Sequence, residues 1–249
     1  MAKKKEILGI IPFIEVVRGD DKVGFKDLDG NVVVKAKYEV YGTDTEMIGG
    51  LATFVQGSNS LWGIINNNAR LVVEKAFHTA VYEEGVGVYR ALPETRINKE
   101  AVNAYDLCGM IDNEGNVMLP CAFDAIKRIK KGYFYLAKGQ AEYGIYRITD
   151  DKTVSLHFDM KSAGYEPLNV EKSFGDANIY RTAGGDRLLE VKKDGLSGVI
   201  KVDGTEVVPC NYQTFKRFGP AYIIGRANDM VFSIKLDDPE NVIIEPYNS

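Results

Sequence analysis

Short apolar runs recur along the whole chain, and clusters of turn residues separate them. The runs are rich in valine, isoleucine, tyrosine and phenylalanine, and many alternate with polar residues, which is typical of β-strands. An apolar period of 3.6 residues does not persist for more than two turns anywhere in the chain. The segment 98–104 is the one place where the pattern allows a short helix. The pattern therefore predicts an all-β protein with one short helix at 98–104.

A glycine flanked by apolar residues marks a repeated unit. In five copies an aromatic residue stands fourteen positions after this glycine, and apolar residues stand one and ten positions after it. In a sixth copy Ser233 replaces the glycine, while Tyr247 keeps the offset of fourteen. The five glycine–aromatic pairs are Gly24–Tyr38, Gly63–Phe77, Gly109–Phe123, Gly144–Phe158 and Gly198–Tyr212.

Each unit is predicted to be a three-stranded antiparallel meander, with a short fourth segment allowed after the aromatic. One strand precedes the glycine, the second contains it, and the third returns after a tight turn. An acidic residue followed by Gly30, Gly115 or Gly204 marks the turn in three copies, because glycine readily adopts a positive φ. Residues 27–31 look like a fragment of a calcium loop, but the glycine comes too early for one, so we interpret them as a turn.

The repeats predict a single domain over residues 1–249. The glycines are unevenly spaced, which places insertions at about 91–105 and 160–178. Long loops of this kind often carry the function of a repeat array. The six units, called repeats 1 to 6, lie at about 7–45, 46–84, 85–130, 131–164, 180–219 and 220–249.

Six meanders of similar size can close into a ring as a β-propeller or stack in line as a β-solenoid. We favour the propeller, because six is a common number of blades and closure removes the unpaired strand edges of an open array. The main argument against it is that each unit has three predicted strands, whereas a propeller blade has four.

The unit resembles the WG repeat, in which a Trp-Gly pair opens a strand and is followed by a hairpin, a V-V-I-P run and an aromatic. Residues 62–65 match the Trp-Gly start, and residues 117–120 and 207–209 match the later run. The family is widespread in bacteria, and the resemblance implies a repeat architecture and an interaction role without implying a reaction. The tryptophan is replaced in the other copies by Val23, Cys108, Tyr143, Ser197 and Phe232.

Charge and hydropathy narrow the class of partner. The chain has 35 acidic and 31 basic side chains and a net charge of −4, so the phosphate attraction that supports nucleic-acid binding has no global basis. No stretch approaches the roughly twenty apolar residues needed to cross a bilayer. We expect no nucleic-acid partner, no membrane span and a cytoplasmic location, the alternative being secretion after removal of a signal.

Few residues are candidates for catalysis or metal binding. Cys108, Cys121 and Cys210 are odd in number and lack a C-x-x-C spacing, so they form neither a disulfide framework nor a four-cysteine zinc site. His78 and His157 flank the repeat aromatic, where other copies carry polar residues, and we interpret both as exposed positions. Nucleotide-binding, zinc-protease and serine-hydrolase motifs do not occur. We expect no catalytic residue, no metal, no cofactor and no enzyme activity.

Aromatic residues outside the repeat register are the candidate binding residues. Tyr105 ends the first insertion, Tyr165, Phe174 and Tyr180 lie in or beside the second, and Arg96 lies in the first. Aromatic and arginine side chains of this kind are typical of interfaces. Alternatively, the aromatic side chains only hold their own loops in place.

Two functions follow as hypotheses. The first is a non-enzymatic scaffold that binds a protein partner through the inserted loops. The alternative is a carbohydrate- or cell-envelope-binding module that uses the aromatics outside the register. A glycan hydrolase is a secondary version of this alternative.

Overall fold

The structure is a computed structural model that describes residues 9–40, 52–56, 62–66, 68–83, 88–93, 107–112, 115–168 and 178–247. All regular secondary structure in these residues is β-strand, which confirms the predicted all-β class. The short helix predicted at 98–104 lies outside the described residues. A helix long and apolar enough to cross a membrane does not occur in the described part of the chain.

The chain divides into two compact units, Met1–Ala122 and Phe123–Ser249, and each is described by itself. The single repeat domain, its six boundaries and closure into a propeller stay predictions. The first unit contains a three-stranded antiparallel sheet, β1-β2-β3, and a six-stranded one in chain order from β4 to β9. Its strands are β1 (Ile10–Val17), β2 (Asp20–Asp27), β3 (Val32–Glu39), β4 (Ala52–Gln56), β5 (Trp62–Asn66), β6 (Leu71–Glu83), β7 (Val88–Pro93), β8 (Cys108–Asp112) and β9 (Val117–Phe123), which ends at the unit boundary.

The second unit contains three four-stranded antiparallel sheets, β10 to β13, β14 to β17 and β18 to β21. In each sheet the strands follow one another in chain order, as in the predicted meander. The strands are β10 (Ala125–Lys130), β11 (Tyr133–Lys138), β12 (Glu142–Ile148), β13 (Val154–Phe158), β14 (Ile179–Arg181), β15 (Arg187–Lys193), β16 (Leu196–Ile200), β17 (Glu206–Tyr212), β18 (Thr214–Arg217), β19 (Tyr222–Ala227), β20 (Met230–Lys235) and β21 (Ile243–Pro246).

In the sheets β10 to β13 and β18 to β21, the fourth strand comes directly from the segment after the aromatic of the preceding repeat. A single residue, Asp124 or Gln213, separates that aromatic from the next strand, and its N–H already donates to the following sheet, to Ala137 or to Arg226. The fourth segment expected from the sequence therefore exists, and it pairs with the next sheet. In β6 the return strand continues without a break into the next meander, which produces the six-stranded sheet.

The return strand bulges opposite the repeat glycine. In repeat 1, Val23 pairs with Tyr38 and Phe25 pairs with Val34, so the return strand has three residues between these partners where β2 has only Gly24. Repeats 2 and 5 have the same register. In these three repeats the offsets of ten and fourteen in the sequence are therefore the two pairing points on either side of a β-bulge.

Repeat 4 departs from this register, and the sequence-based equivalence is wrong there. Ile145 pairs with Phe158, as Phe25 pairs with Val34 in repeat 1. Phe158 thus takes the place of Val34, although its offset from the glycine matches that of Tyr38. The physical reason is a longer hairpin. Its turn lies two residues farther from the repeat glycine, so each residue of the return strand pairs with a residue of β12 that is closer to the turn.

The cores of the second unit lie between neighbouring sheets. One core joins the first and second sheets through fully buried side chains such as Tyr135, Ile145 and Leu189. A second core joins the second and third sheets around Val199 and Ile234. Burial of one such side chain stabilises a fold by about 1.5–3 kcal/mol, so each meander depends on its neighbour for stability, as in other repeat proteins.

The predicted turns are confirmed. Gly30, Gly115 and Gly204 have φ values of 87°, 89° and 88°. In the segment that resembles a calcium loop, the Asp27 carboxylate accepts hydrogen bonds from the N–H groups of Asp29 at 3.0 Å and Asn31 at 2.8 Å. These bonds define a side-chain-stabilised turn.

Candidate functional site

A small cleft opens in the second unit where turns and strand ends from all three sheets meet. Its volume is about 110 Å³. We call it the charged cleft, because it is lined by three cationic side chains and two carboxylates. These are Lys130, Arg187 and Lys201, with Asp186 and Asp203.

Tight turns hold these charges at the ends of the strands. Between β14 and β15, Gly185 has a φ of 86° and donates its N–H to the Thr182 carbonyl at 3.1 Å, while Thr182 donates its own N–H to the Asp186 carbonyl at 2.9 Å. Between β16 and β17, Gly204 donates to the Lys201 carbonyl at 3.1 Å. Both turns use glycine where the backbone needs a positive φ.

Hydrogen bonds favour the charged forms of two cleft residues, Asp203 and Lys201. The Asp203 carboxylate accepts the N–H of Thr205 at 3.0 Å, and this hydrogen bond lowers the pKa of Asp203 below its usual value. Lys201 donates to the carboxylate of Glu240, which raises the pKa of Lys201. Glu240 lies between β20 and β21, so this ion pair joins the second and third sheets of the unit.

The cleft suits the recognition of a charged side chain. Pockets for drug-sized molecules occupy about 300–1,000 Å³, well above the volume of this cleft. Fixed charges of both signs can pair with a carboxylate, an ammonium group or a guanidinium group of a partner. A cluster of three or more histidine, cysteine or carboxylate side chains able to hold a metal ion does not occur in the described ranges.

The cysteines are poorly suited to nucleophilic chemistry. Burial raises the pKa of the Cys121 thiol, and burial together with the nearby Glu206 carboxylate raises the pKa of Cys210 to about 11. The nucleophile in cysteine chemistry is the thiolate, so both thiols are predominantly unreactive at neutral pH. Cys108 is buried.

The two histidines differ in what the structure describes. His157 is exposed on β13, and its ring meets the edge of the Tyr133 ring at a centroid distance of 4.9 Å. An exposed position was the sequence-based interpretation of His157. The side chain of His78, on β6, lies outside the described part of the chain.

Of the five binding residues predicted from the sequence, the structure describes two. Arg96, Tyr105 and Phe174 lie outside the described residues. Tyr165 and Tyr180 are buried, with relative exposures of 6% and 1%, and they belong to two different cores. The structure therefore does not bring these two side chains together in one open site, and a binding role for the five residues stays a prediction.

Tyr165 anchors the beginning of the second insertion. Its carbonyl accepts the Tyr143 hydroxyl at 2.8 Å, and its own hydroxyl donates to Glu206 at 3.3 Å. Its ring shares a core with Tyr143 and Ile145, the two residues that flank the glycine of repeat 4. Burial raises the pKa of Tyr165 to about 12.

Tyr180 is buried, and its polar partners are a partly buried carboxylate and an exposed arginine. Its hydroxyl donates to the Glu190 carboxylate, and the Arg217 guanidinium lies over its ring, 4.5 Å from the centroid. Arg217 also donates to the Ile179 carbonyl. Burial raises the pKa of both Tyr180 and Glu190, because each charged form loses hydration.

The charged cleft is not predictable from the sequence. Lys201 and Asp203 flank a predicted turn, and their residue types are ordinary for a solvated turn. Charged residues beside a repeat turn are a usable signal, but nothing in the sequence shows that turns of three sheets converge. The contributions of Lys130 and Arg187 depend on that convergence.

Comparison with known proteins finds a family model that matches part of the chain. The family model described as WG containing repeat matches residues 109–139. The chain therefore carries a WG repeat in this segment, and the resemblance to that family is confirmed. No curated protein matches the chain.

Several solved structures are similar at low identity. A protein proposed to be a gluconolactonase is 11% identical, with 99% of this chain and 92% of that chain covered and a TM-score of 0.35. A protein from Lactobacillus plantarum is 10% identical, with 97% and 81% covered and a TM-score of 0.35. The calcium-binding protein regucalcin from Agrobacterium tumefaciens strain C58 is 9% identical, with 91% and 85% covered and a TM-score of 0.32. Likenesses this distant carry no argument about this chain.

Proposed function

We propose that the chain is a non-enzymatic scaffold that recognises a protein partner through the charged cleft. The WG repeat suggests a binding module, and the cleft supplies a place for binding. The observation that carries the proposal is the set of five charged side chains around a cavity of about 110 Å³. This volume fits one side chain of a partner.

The scaffold is suited to this role because the cleft is attached to packed sheets. Leu188 and Val202, which also line the cleft, are buried in the two cores of the second unit. Preorganised charges lose little freedom when a partner binds, so their attraction contributes to affinity and to specificity. The proposal keeps the protein partner expected from the sequence and moves the contact from the inserted loops to the cleft.

The test compares two variants of equal charge change in affinity capture. The double variant Lys130→Glu, Arg187→Glu inverts the cationic side of the cleft. The double variant Lys192→Glu, Lys235→Glu changes two exposed lysines on strands and serves as the control. We expect a bound protein that is lost with the cleft variant and kept with the control. Titration of that protein, once purified, is expected to show about tenfold weaker binding to the cleft variant, equivalent to 1.4 kcal/mol.

Two results would contradict the proposal. One is a set of captured proteins that does not depend on Lys130 and Arg187. The other is binding of a sugar on a glycan array, or of a free amino acid in a thermal-shift screen, that is lost in the cleft variant. Either of these ligands would assign the cleft to a small molecule.

A further inference from the structure

A second candidate site lies in the first unit, between β3 and the hairpin of β5 and β6. This groove has a volume of about 380 Å³ and is lined mainly by apolar side chains. We call it the β3 groove. Its lining consists of Val33, Val34, Tyr38, Ile65, Ala69 and Leu71, together with Lys35 and Lys37.

The floor of the β3 groove is continuous with the core, while its walls are open. Tyr38 and Ile65 are almost completely buried, with relative exposures of 2% and 1%. Val33, Val34 and Leu71 are only partly buried and pack on the same core. A ligand that covered these walls would remove further apolar surface from water, which favours binding.

The rim of the β3 groove is cationic. Lys35 and Lys37 are exposed and flank the buried Ala36 in the bulged part of β3, between Val34 and Tyr38. In the part of the chain that the structure describes, no carboxylate lines the groove. Glu39, farther along β3, is engaged by Lys22 at 2.8 Å.

The outer edge of β3 also differs from the equivalent edges of two other return strands. Lys35 stands eleven positions after its repeat glycine, where β9 has Pro120 and β17 has Pro209. A proline at a sheet edge has no N–H and so discourages the addition of another strand. The β3 edge keeps that N–H, and among the described strands β3 pairs only with β2.

We propose that the β3 groove binds an extended segment of a partner protein in which acidic and apolar residues alternate. Such a segment adds to the open edge of β3 as a further strand. Its alternate side chains then point to opposite faces. Its acidic residues stand on the face of Lys35 and Lys37, and its apolar residues cover Val34 and Leu71. Two acidic residues of the segment can pair with the two lysines.

A free fatty acid is the competing occupant. It has one carboxylate for the two lysines, and it binds best in a pocket that encloses most of its surface. The partly open walls and the paired lysines favour a peptide. The proposal does not depend on the charged cleft, which belongs to the other unit, so either site can fail without the other.

The test uses a labelled peptide and the full chain. The probe is fluorescein-labelled Gly-Glu-Val-Glu-Val-Glu-Gly amide, and its counterpart has lysine in place of glutamate. Fluorescence anisotropy is expected to show binding of the glutamate peptide only. In the double variant Lys35→Glu, Lys37→Glu this affinity is expected to fall by about tenfold or more, with binding of the lysine peptide gained.

Two further variants separate charge from strand addition. The control variant Lys192→Glu, Lys235→Glu has the same net charge as the rim variant and is expected to bind the glutamate peptide within about twofold of the native chain. Lys35→Pro copies a residue that β9 and β17 accept at this position, so the fold is expected to persist. Its affinity is expected to fall below that of Lys35→Ala, because it removes the N–H as well as the charge.

The proposal would be overturned by any of four results. The first two results are that the glutamate peptide does not bind at millimolar concentration, and that it binds the native chain and the rim variant equally. The native chain binds the lysine peptide as tightly as the glutamate peptide. Decanoate binds with a dependence on Lys35 and Lys37 that the peptide lacks, which would assign the groove to a fatty acid. A circular-dichroism melting curve of each variant confirms that a loss of binding is not a loss of fold.

Discussion

Repeats 5 and 6 are neighbours in the second unit, and their hairpins are built differently. In repeat 5 the return strand β17 bulges, so that Ser197 pairs with Tyr212 and Val199 with Val208 across Gly198. In repeat 6 the return strand β21 is regular, and Ser233 pairs directly with Glu245. One hairpin requires a glycine, and the other accepts serine.

The difference shows that the facing strand imposes the repeat glycine. A Cβ on Gly198 would lie 2.7 Å from the carbonyl oxygen of Val208 and 2.9 Å from the nitrogen of Cys210, closer than such atoms approach one another. The bulge brings this backbone over the glycine. Without the bulge the space is free, and Ser233 fits there with a relative exposure of 9%.

A second difference lies on the strand that precedes the glycine. Glu190 pairs with Val199 in repeat 5, and Ile223 pairs with Ile234 at the equivalent position in repeat 6. A partly buried carboxylate with a tyrosine partner thus replaces a fully buried apolar side chain. The Glu190 side chain is therefore expected to make the stability of the protein depend on pH, whereas Ile223 is not.

The largest expected effect comes from placing alanine at the repeat position of each hairpin. Gly198→Ala is expected to lower the free energy of unfolding by about 3 kcal/mol or more, because the clash is with backbone that cannot move without breaking the bulge. Ser233→Ala is the matched variant and is expected to cost less than about 1 kcal/mol. Urea denaturation followed by circular dichroism measures both. Equal losses would show that the bulge does not impose the glycine.

The hairpin turn of repeat 5 gives the next largest effect. Gly204 and Gly30 have the same φ within one degree, but a Cβ on Gly204 would lie 2.3 Å from the Phe158 ring, whereas a Cβ on Gly30 has open space. Gly30→Ala is expected to cost about 1–2 kcal/mol from the backbone alone. Gly204→Ala is expected to cost at least about 1 kcal/mol more, because Phe158 must move. Thermal unfolding of the two variants measures the difference. Indistinguishable midpoints would contradict a clash between the residue 204 side chain and the Phe158 ring.

The Glu190 position predicts a pH effect of intermediate size. Burial raises the pKa of Glu190 above its usual value, so the folded chain retains this proton at a pH where the unfolded chain has lost it. Stability is therefore expected to fall as pH rises from the usual carboxyl pKa through the raised one. Glu190→Gln keeps an acceptor for the Tyr180 hydroxyl and is expected to remove this fall.

Unfolding measured across that pH range tests the Glu190 prediction. Glu245→Gln, on the exposed strand β21, removes the same charge without the burial and is the control. A pH dependence that is identical in the native chain and in Glu190→Gln would show that the buried carboxyl does not contribute.

The smallest expected effect concerns the ion pair that joins the two repeats. Lys201 and Glu240 connect the turn of repeat 5 to the loop of repeat 6 at the surface of the molecule. Exposed ion pairs contribute little and are screened by salt. Glu240→Gln is therefore expected to lower the thermal midpoint slightly at low salt and not at all at high salt. A large shift that persists in concentrated salt would show that Glu240 has a packing role.

Local features of the sequence predicted most of the elements. The spacing of Gly198, Val208 and Tyr212 identified the strands of the hairpin, and the structure shows that the residues at these offsets pair on the two sides of a bulge. The Asp203–Gly204 pair identified its turn, because the positive φ is a property of the local backbone. The same spacing misled at Phe158, where a longer hairpin preserves the offset but changes the partner.

The candidate sites were much less predictable. Tyr165 and Tyr180 stood out because they fall outside the repeat register, and the structure places both in cores. The lysines of the β3 groove and the charges of the cleft were not distinguishable from ordinary surface residues. Charged side chains are common on surfaces, and only their convergence makes a site.

Strand propensity, turn conformation and short-range register depend on neighbouring residues, so the repeating strand, glycine and turn pattern of this protein was readable from its sequence. Contacts between distant segments set which sheets the segments after Phe123 and Tyr212 join, which residue pairs with Ile145 in repeat 4, and which charges share a cleft. These outcomes depend on burial and contacts between segments far apart in the chain. A sequence pattern can repeat unchanged while such contacts differ from one repeat to the next.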